Sequence, residues 1–153
     1  MKPVMLALST FRQSENAVQL AIEKAKISKN LVVAYVVDEN LARYLLGADA
    51  DLSLAMKEKG EREIREGEIL EGYRRQGEEM VALIEEAAKK SGINVKRYID
   101  VARFGIKCVE IAKAEDPELI ITTRTKRPQW VKKMFGSPVD YLIEHAGCKI
   151  IEA

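Results

Sequence analysis

Three short runs of unbroken apolar character constrain this chain more than anything else in it: Pro3 to Leu8, Leu31 to Val37 (LVVAYVV) and Leu119 to Ile121. Each is too short for a buried helix, and the second is rich in the β-branched residues that strands favour. A strand that is apolar on both sides must be covered on both sides, which is the condition of a parallel sheet. The intervening segments supply the cover. SENAVQLAIEKAKI opens with Ser14 as a plausible N-cap and lines Ala17, Val18, Ala21, Ile22 and Ala25 along one helical face. Gly105 to Ala114 forms another helix with Val109 and Ala112 toward the sheet, and Asp116 and Pro117 make the turn before Leu119. Val95 to Val101 alternates enough to be an edge strand, and Lys149 to Ile151 starts a short one at the end. The order is β-α-β-α-β-α-β-α-β, which predicts one α/β domain over residues 1–153, an open parallel sheet with right-handed crossovers. Such sheets take ligands beyond the carboxyl ends of their strands, at the loops after Ser9, Val37 and Thr123.

The region of about 40–91 departs from this economy. LARYLL and LSLAMK have helical spacing with a polar break at Gly47 to Asp51, and GEREIREGEILEGYRRQGEE is dense in charge and carries Gly60, Gly67, Gly72 and Gly77. A glycine inside a helix costs about 1 kcal/mol relative to alanine, so four of them weaken the case for one continuous helix. Beyond them Tyr73, Met80, Val81, Ile84 and Ala88 restore a stripe that Gly92 stops. The charged part reads as a solvated face, with a cover over a ligand site or a partner surface as the alternatives.

Charge argues against several function classes. Lys+Arg 25 against Asp+Glu 24 leaves a net charge of +1, so bulk electrostatics point to neither nucleic acid nor an acidic tail as partner. The beginning, MKPVMLALS, is too short an apolar run for a signal peptide or a membrane span, and the expectation is a cytoplasmic protein. Cys108 and Cys148 stand far apart with no CxxC spacing and are expected as reduced thiols. The single histidine, His145, is expected to pack or to cap a helix end, and a histidine-rich metal site is excluded.

The last helix is sharply punctuated. Ser137 is placed as N-cap, Pro138 at the first helical position, Asp140 near the positive end of the dipole, and Gly147 just past the end. Free N–H groups at such a start suit a phosphate, and Arg124, Lys126, Arg127, Lys132 and Lys133 crowd the loop before it. The plainer reading is a capped helix after a solvated basic loop, with Trp130 and Phe135 anchoring that loop. Neither GxGxxG nor GxxxxGK[ST] occurs, and no Ser/His/acid or Cys/His set falls on the candidate loops.

Taken together, GSPVDYLIEHAGCKII from Gly136 to Ile151, Ser14 and Ala17 opening the first helix, AYVVDEN, Gly105 and PELIITT resemble the universal stress protein family. The resemblance covers nearly the whole chain apart from the expanded region between Asn40 and Gly77. It implies a Rossmann-like sheet of the adenine nucleotide alpha hydrolase kind with strand order 3-2-1-4-5, and commonly a homodimer along the last strand. It also implies that some members bind ATP through a loop of the form G-x2-G-x9-G-[S/T]. In this chain the two upstream glycine positions are Thr123 and Lys126, and only Gly136 and Ser137 remain. Ser9 replaces the acidic residue that ATP-binding members carry after the first strand, and Thr10 and Phe11 follow where Gly and Ser are usual. Val36 keeps the position that lies beside adenine in the family.

Glycine there permits positive φ and close backbone approach to phosphate, whereas Thr or Lys in a left-handed conformation costs roughly 1–2 kcal/mol. The expectation is a dimeric, non-catalytic stress-response or signalling module that requires no cofactor and acts on an unidentified protein partner, with no nucleic acid and no membrane. The alternative is a nucleotide-binding switch or slow ATPase that holds ATP with Mg through Ser9, Val36, Thr123, Lys126, Gly136, Ser137 and the basic 124–133 loop.

Overall fold

Strand β1 (Val4–Ser9) occupies the middle of a five-stranded sheet, and every one of its side chains is buried. The structure, a computed structural model, describes residues 1–10, 15–42, 59–123 and 138–153. The chain continues through α1 (Glu15–Ser28), β2 (Asn30–Asp38), α2 (Lys59–Lys90), β3 (Asn94–Ala102), α3 (Phe104–Glu115), β4 (Leu119–Thr122), α4 (Pro138–His145) and β5 (Lys149–Glu152). All pairings are parallel and the strand order is β3-β2-β1-β4-β5. The expected order 3-2-1-4-5 is therefore the observed one. β1 is the switch point: the chain winds one way from it to β2 and β3 and the other way to β4 and β5.

Alternation along the central strands divides the core in two. Val4, Leu6 and Leu8 of β1, Leu31, Val33, Tyr35 and Val37 of β2, and Ile121 of β4 pack under α1 and α2. Met5, Ala7, Val32, Ala34, Val36 and Ile120 pack with Phe104, Cys108, Ile111 and Leu142 on the opposite face. Burying a side chain of the Val, Leu, Ile or Phe class contributes about 1.5–3 kcal/mol, so these two layers carry the fold. Helix α1 meets the sheet through Ala17, Ala21 and Ala25, a repeat of four that sets small side chains against the strands.

The edges differ. β3 has nine residues, none fully buried, with Lys96, Arg97 and Asp100 among them. β5 has four, with Ile150 and Ile151 half-buried in its middle.

The charged segment forms one helix of 32 residues, about 48 Å long at 1.5 Å per residue. The glycines do not interrupt it. Gly60, Gly67 and Gly72 face open space, and Arg74 bridges Glu71 at 3.0 Å and Glu78 at 2.6 Å along the same surface. Gly77, Val81, Ile84 and Ala88 are buried against the sheet, while residues 60–65 are exposed. LARYLL and LSLAMK lie outside the described residues except for Leu41 and Ala42, which are buried.

A left-handed residue follows each of the four described helices: Lys29 (φ 63), Gly92 (φ 70), Asp116 (φ 48) and Gly147 (φ 72). Gly92 and Gly147 are the expected stops. Asp116, expected in a turn, instead caps α3, its N–H donating to the Ala112 carbonyl at 2.8 Å.

Candidate functional site

The carboxyl ends of β1, β2 and β4 converge where the sheet reverses, and hydroxyl residues collect there. Ser9 ends β1, is 5% exposed, and stands in register with Val36 of β2. Its Oγ donates to the Thr10 carbonyl at 3.4 Å. Thr122 ends β4, and its Oγ1 donates to the Ala7 carbonyl at 3.0 Å, tying the two central strands together. The Ala153 N–H donates to the Thr122 carbonyl at 2.9 Å and closes the other side of β4.

Two further hydroxyls at this end have no partner. Thr10 Oγ1 and Thr123 Oγ1 are buried without a hydrogen bond, and no other side-chain N or O atom among the described residues is in that condition. Burying a hydroxyl unpaired costs about 1–3 kcal/mol, so two at one end of the sheet call for an explanation. Both fall on the α1/α2 face: Thr123 continues the alternation of Leu119 and Ile121, and Thr10 reaches the neighbourhood of Tyr35. Burial pushes the Tyr35 phenol above its ordinary range. The nearby Thr10 hydroxyl opposes that shift, although no hydrogen bond of ordinary geometry joins the two, and Tyr73 adds to it.

Thr123 bears directly on the nucleotide question. Its side chain is fully buried, and Lys29 and Asp116 are the only non-glycine residues with positive φ among those described. Thr123 therefore leaves β4 in an ordinary backbone conformation, not the left-handed one that a glycine would permit. A cradle that depends on glycine at this position does not fit the residue present.

Of the residues singled out in the sequence, Ser9 and Val36 stand side by side at the ends of β1 and β2, with Val36 in the layer under α3 and α4, while Thr123 follows β4 with the parity of the opposite face. Val36 is 1% exposed and sits in the core layer under α3 and α4, packed among side chains of that layer. Lys126, Gly136, Ser137, the basic cluster, Ser14, Trp130 and Phe135 lie outside the described residues. Helix α4 begins at Pro138, directly after Ser137. Asp38 accepts from the Asn40 N–H at 2.9 Å, which ends β2 in a side-chain-closed turn. His145 stacks on Tyr141 with ring centroids 4.2 Å apart, and its Nδ1 lies 3.1 Å from the Tyr141 carbonyl oxygen, a packing role at a helix end.

Thr10 and Tyr35 are the site residues that the sequence did not single out as a pair. The available signal was parity: Thr10 is an even step from Leu8 and Leu6, and Tyr35 from Val33 and Val37. No disulfide joins buried Cys108 to half-buried Cys148. Among the described residues no group of three or more His, Cys, Asp or Glu is arranged to hold a metal ion, and no helix is long and apolar enough to cross a membrane.

Solved structures share this architecture. Universal stress protein UspA from Lactobacillus plantarum superposes with a TM-score of 0.72 at 18% identity, over 98% of this chain and 96% of that one. A universal stress protein from Archaeoglobus fulgidus in complex with dAMP gives 0.55 at 14% identity, over 99% and 96%. A universal stress protein in complex with cAMP gives 0.55 at 12% identity, over 99% and 95%. No curated protein sequence matches the chain. The sequence model of the Universal stress protein family, however, matches residues 1–151, and the chain belongs to that family.

Proposed function

We propose that this protein is a non-catalytic stress-response or signalling module that works without ATP, as a cytoplasmic homodimer paired along β5, through contacts with a protein partner. The observation that carries the reading is Thr123, whose fully buried side chain and ordinary backbone occupy the position of the first motif glycine. Ser9 at the end of β1 supports it, because a neutral hydroxyl replaces the carboxylate of ATP-binding members. Titration calorimetry of the nucleotide-stripped protein with Mg-ATP tests it, and no saturable heat at millimolar ATP is expected.

A second reading, a nucleotide-binding switch, is favoured by the unpartnered Thr10 and Thr123 hydroxyls at the ligand end of the sheet. The cAMP and dAMP complexes of structural relatives are consistent with it. Saturation at micromolar ATP that is lost in Lys126→Ala would move the protein to this reading.

A further inference from the structure

Helix α3 stops at Glu115, where Asp116 turns left-handed, and a cleft of about 250 Å³ lies between Glu115 and the amino ends of β2 and β3. The connections at this end of the sheet, residues 29, 91–93, 116–118 and 146–148, are all among those described. Pockets for drug-sized ligands run about 300–1,000 Å³, so this one suits a smaller molecule.

The lining divides by chemistry. Pro3, Leu31, Val32 and Val95 are apolar, Asn30 and Asn94 are exposed amides, and Lys96 and Glu115 bring one charge of each sign. Lys96 Nζ lies 2.5 Å from Glu115 Oε1 and 5.8 Å from the centre of the Tyr98 ring, and the Tyr98 hydroxyl donates to the same Oε1. Both contacts fall on one oxygen, so Oε2 keeps acceptor capacity. Lys96 has three N–H donors on a side chain that is 64% exposed, so it too has donors to spare. The contact between them lowers the Glu115 carboxyl and raises the Lys96 ammonium, which keeps both ionised at neutral pH.

This pairing selects against a ligand of single charge. An anion that reaches Lys96 meets the Glu115 carboxylate beside it, and a cation that reaches Glu115 meets Lys96. A molecule with both charges on neighbouring atoms pairs with each.

We propose that this cleft binds a small zwitterion of the α-amino-acid class, its carboxylate on Lys96, its ammonium on Glu115 Oε2 and an apolar side chain against Pro3 and Val95. The proposal goes beyond the ATP-independent reading and does not rest on it, because the cleft is at the opposite end of the sheet from Ser9 and Thr123.

The test is NMR titration of the full chain with leucine, with isoamylamine, isovalerate and glycine as single-charge and side-chain controls, repeated on Lys96→Met and Glu115→Gln. Leucine is expected to shift the amides of residues 30–32, 94–96 and 115 saturably, and each control is expected to bind about tenfold more weakly or not at all. Each variant is expected to weaken leucine about tenfold or more, the worth of one hydrogen bond to a charged group. Lys96→Met changes an exposed side chain, so its result stands even where Glu115→Gln lowers stability. No saturable shift at millimolar leucine overturns the proposal. Isoamylamine or isovalerate binding as tightly as leucine overturns it as well, and so does leucine binding that neither variant weakens.

Discussion

Gly77 of α2 lies against the ring of Tyr35 in β2 so closely that a Cβ there would fall 2.6 Å from Tyr35 Cε1 and 3.0 Å from Cγ. Tyr35 is 4% exposed and has no room to turn aside. The absent side chain is what lets the long helix settle on the sheet, and the ring it rests on is the one beside Thr10. Gly77→Ala should therefore destabilise the protein by about 1–3 kcal/mol through overpacking, even though alanine is the better helix former by about 1 kcal/mol. Gly67→Ala and Gly72→Ala meet open space and should stabilise by up to about 1 kcal/mol. Chemical denaturation of the three variants checks this, and a stabilised Gly77→Ala would show that the helix does not pack on Tyr35.

At the opposite end of the sheet, Glu115 joins α3 to β3. Lys96 Nζ lies 2.5 Å from its carboxylate, and the Tyr98 hydroxyl donates to the same oxygen. The Lys96 hydrogen bond, then that of Tyr98, holds the Glu115 carboxyl below the usual carboxylate range, while the bond to Glu115 raises the Tyr98 phenol. A carboxyl depressed on folding gives stability that is present above its unfolded value and lost as pH falls through the folded one. Glu115→Gln should thus lower the melting temperature at neutral pH, and the gap to the unmodified protein should hold down to the ordinary carboxylate range and narrow only as the pH falls below it. A gap independent of pH would mean that the charge of Glu115 contributes nothing.

The two sheet edges predict where copies of the chain meet. β3 carries Lys96, Arg97 and Asp100, charges of the sort that discourage edge pairing. β5 presents Ile150 and Ile151 between Lys149 and Glu152, and among the described strands it pairs with β4 alone. Sedimentation at micromolar concentration should show a dimer that hydrogen exchange protects along residues 149–152. A monomer, or a dimer protected along β3, would contradict the β5 pairing.

Much of the fold was legible because the central strands are apolar on both sides, which leaves few arrangements open. The runs at Val4, Leu31 and Leu119 and the alanine face of α1 each had a single physical reading. The continuity of α2 was not legible, because whether a glycine weakens a helix depends on what faces it, and Tyr35 is distant from Gly77 in sequence. Lys29 and Asp116 as left-handed caps were also hidden, since neither residue type announces that conformation. At the site, Ser9, Val36 and Thr123 were placed by family pattern; Ser9 and Val36 end neighbouring strands in register, and Thr123 follows β4 with the parity of the other face. The unpaired hydroxyls emerged only with the fold, because satisfaction of a polar atom is a property of its neighbours.

The central claim is that Ser9, Thr123 and Lys126 have removed the triphosphate site, and one paired titration tests it most directly. Mg-ATP is titrated into the nucleotide-stripped protein and into its Ser9→Asp/Thr123→Gly/Lys126→Gly variant. The account predicts no saturable heat from the unmodified protein at millimolar ATP and saturable binding in the variant. Micromolar saturation of the unmodified protein would contradict it.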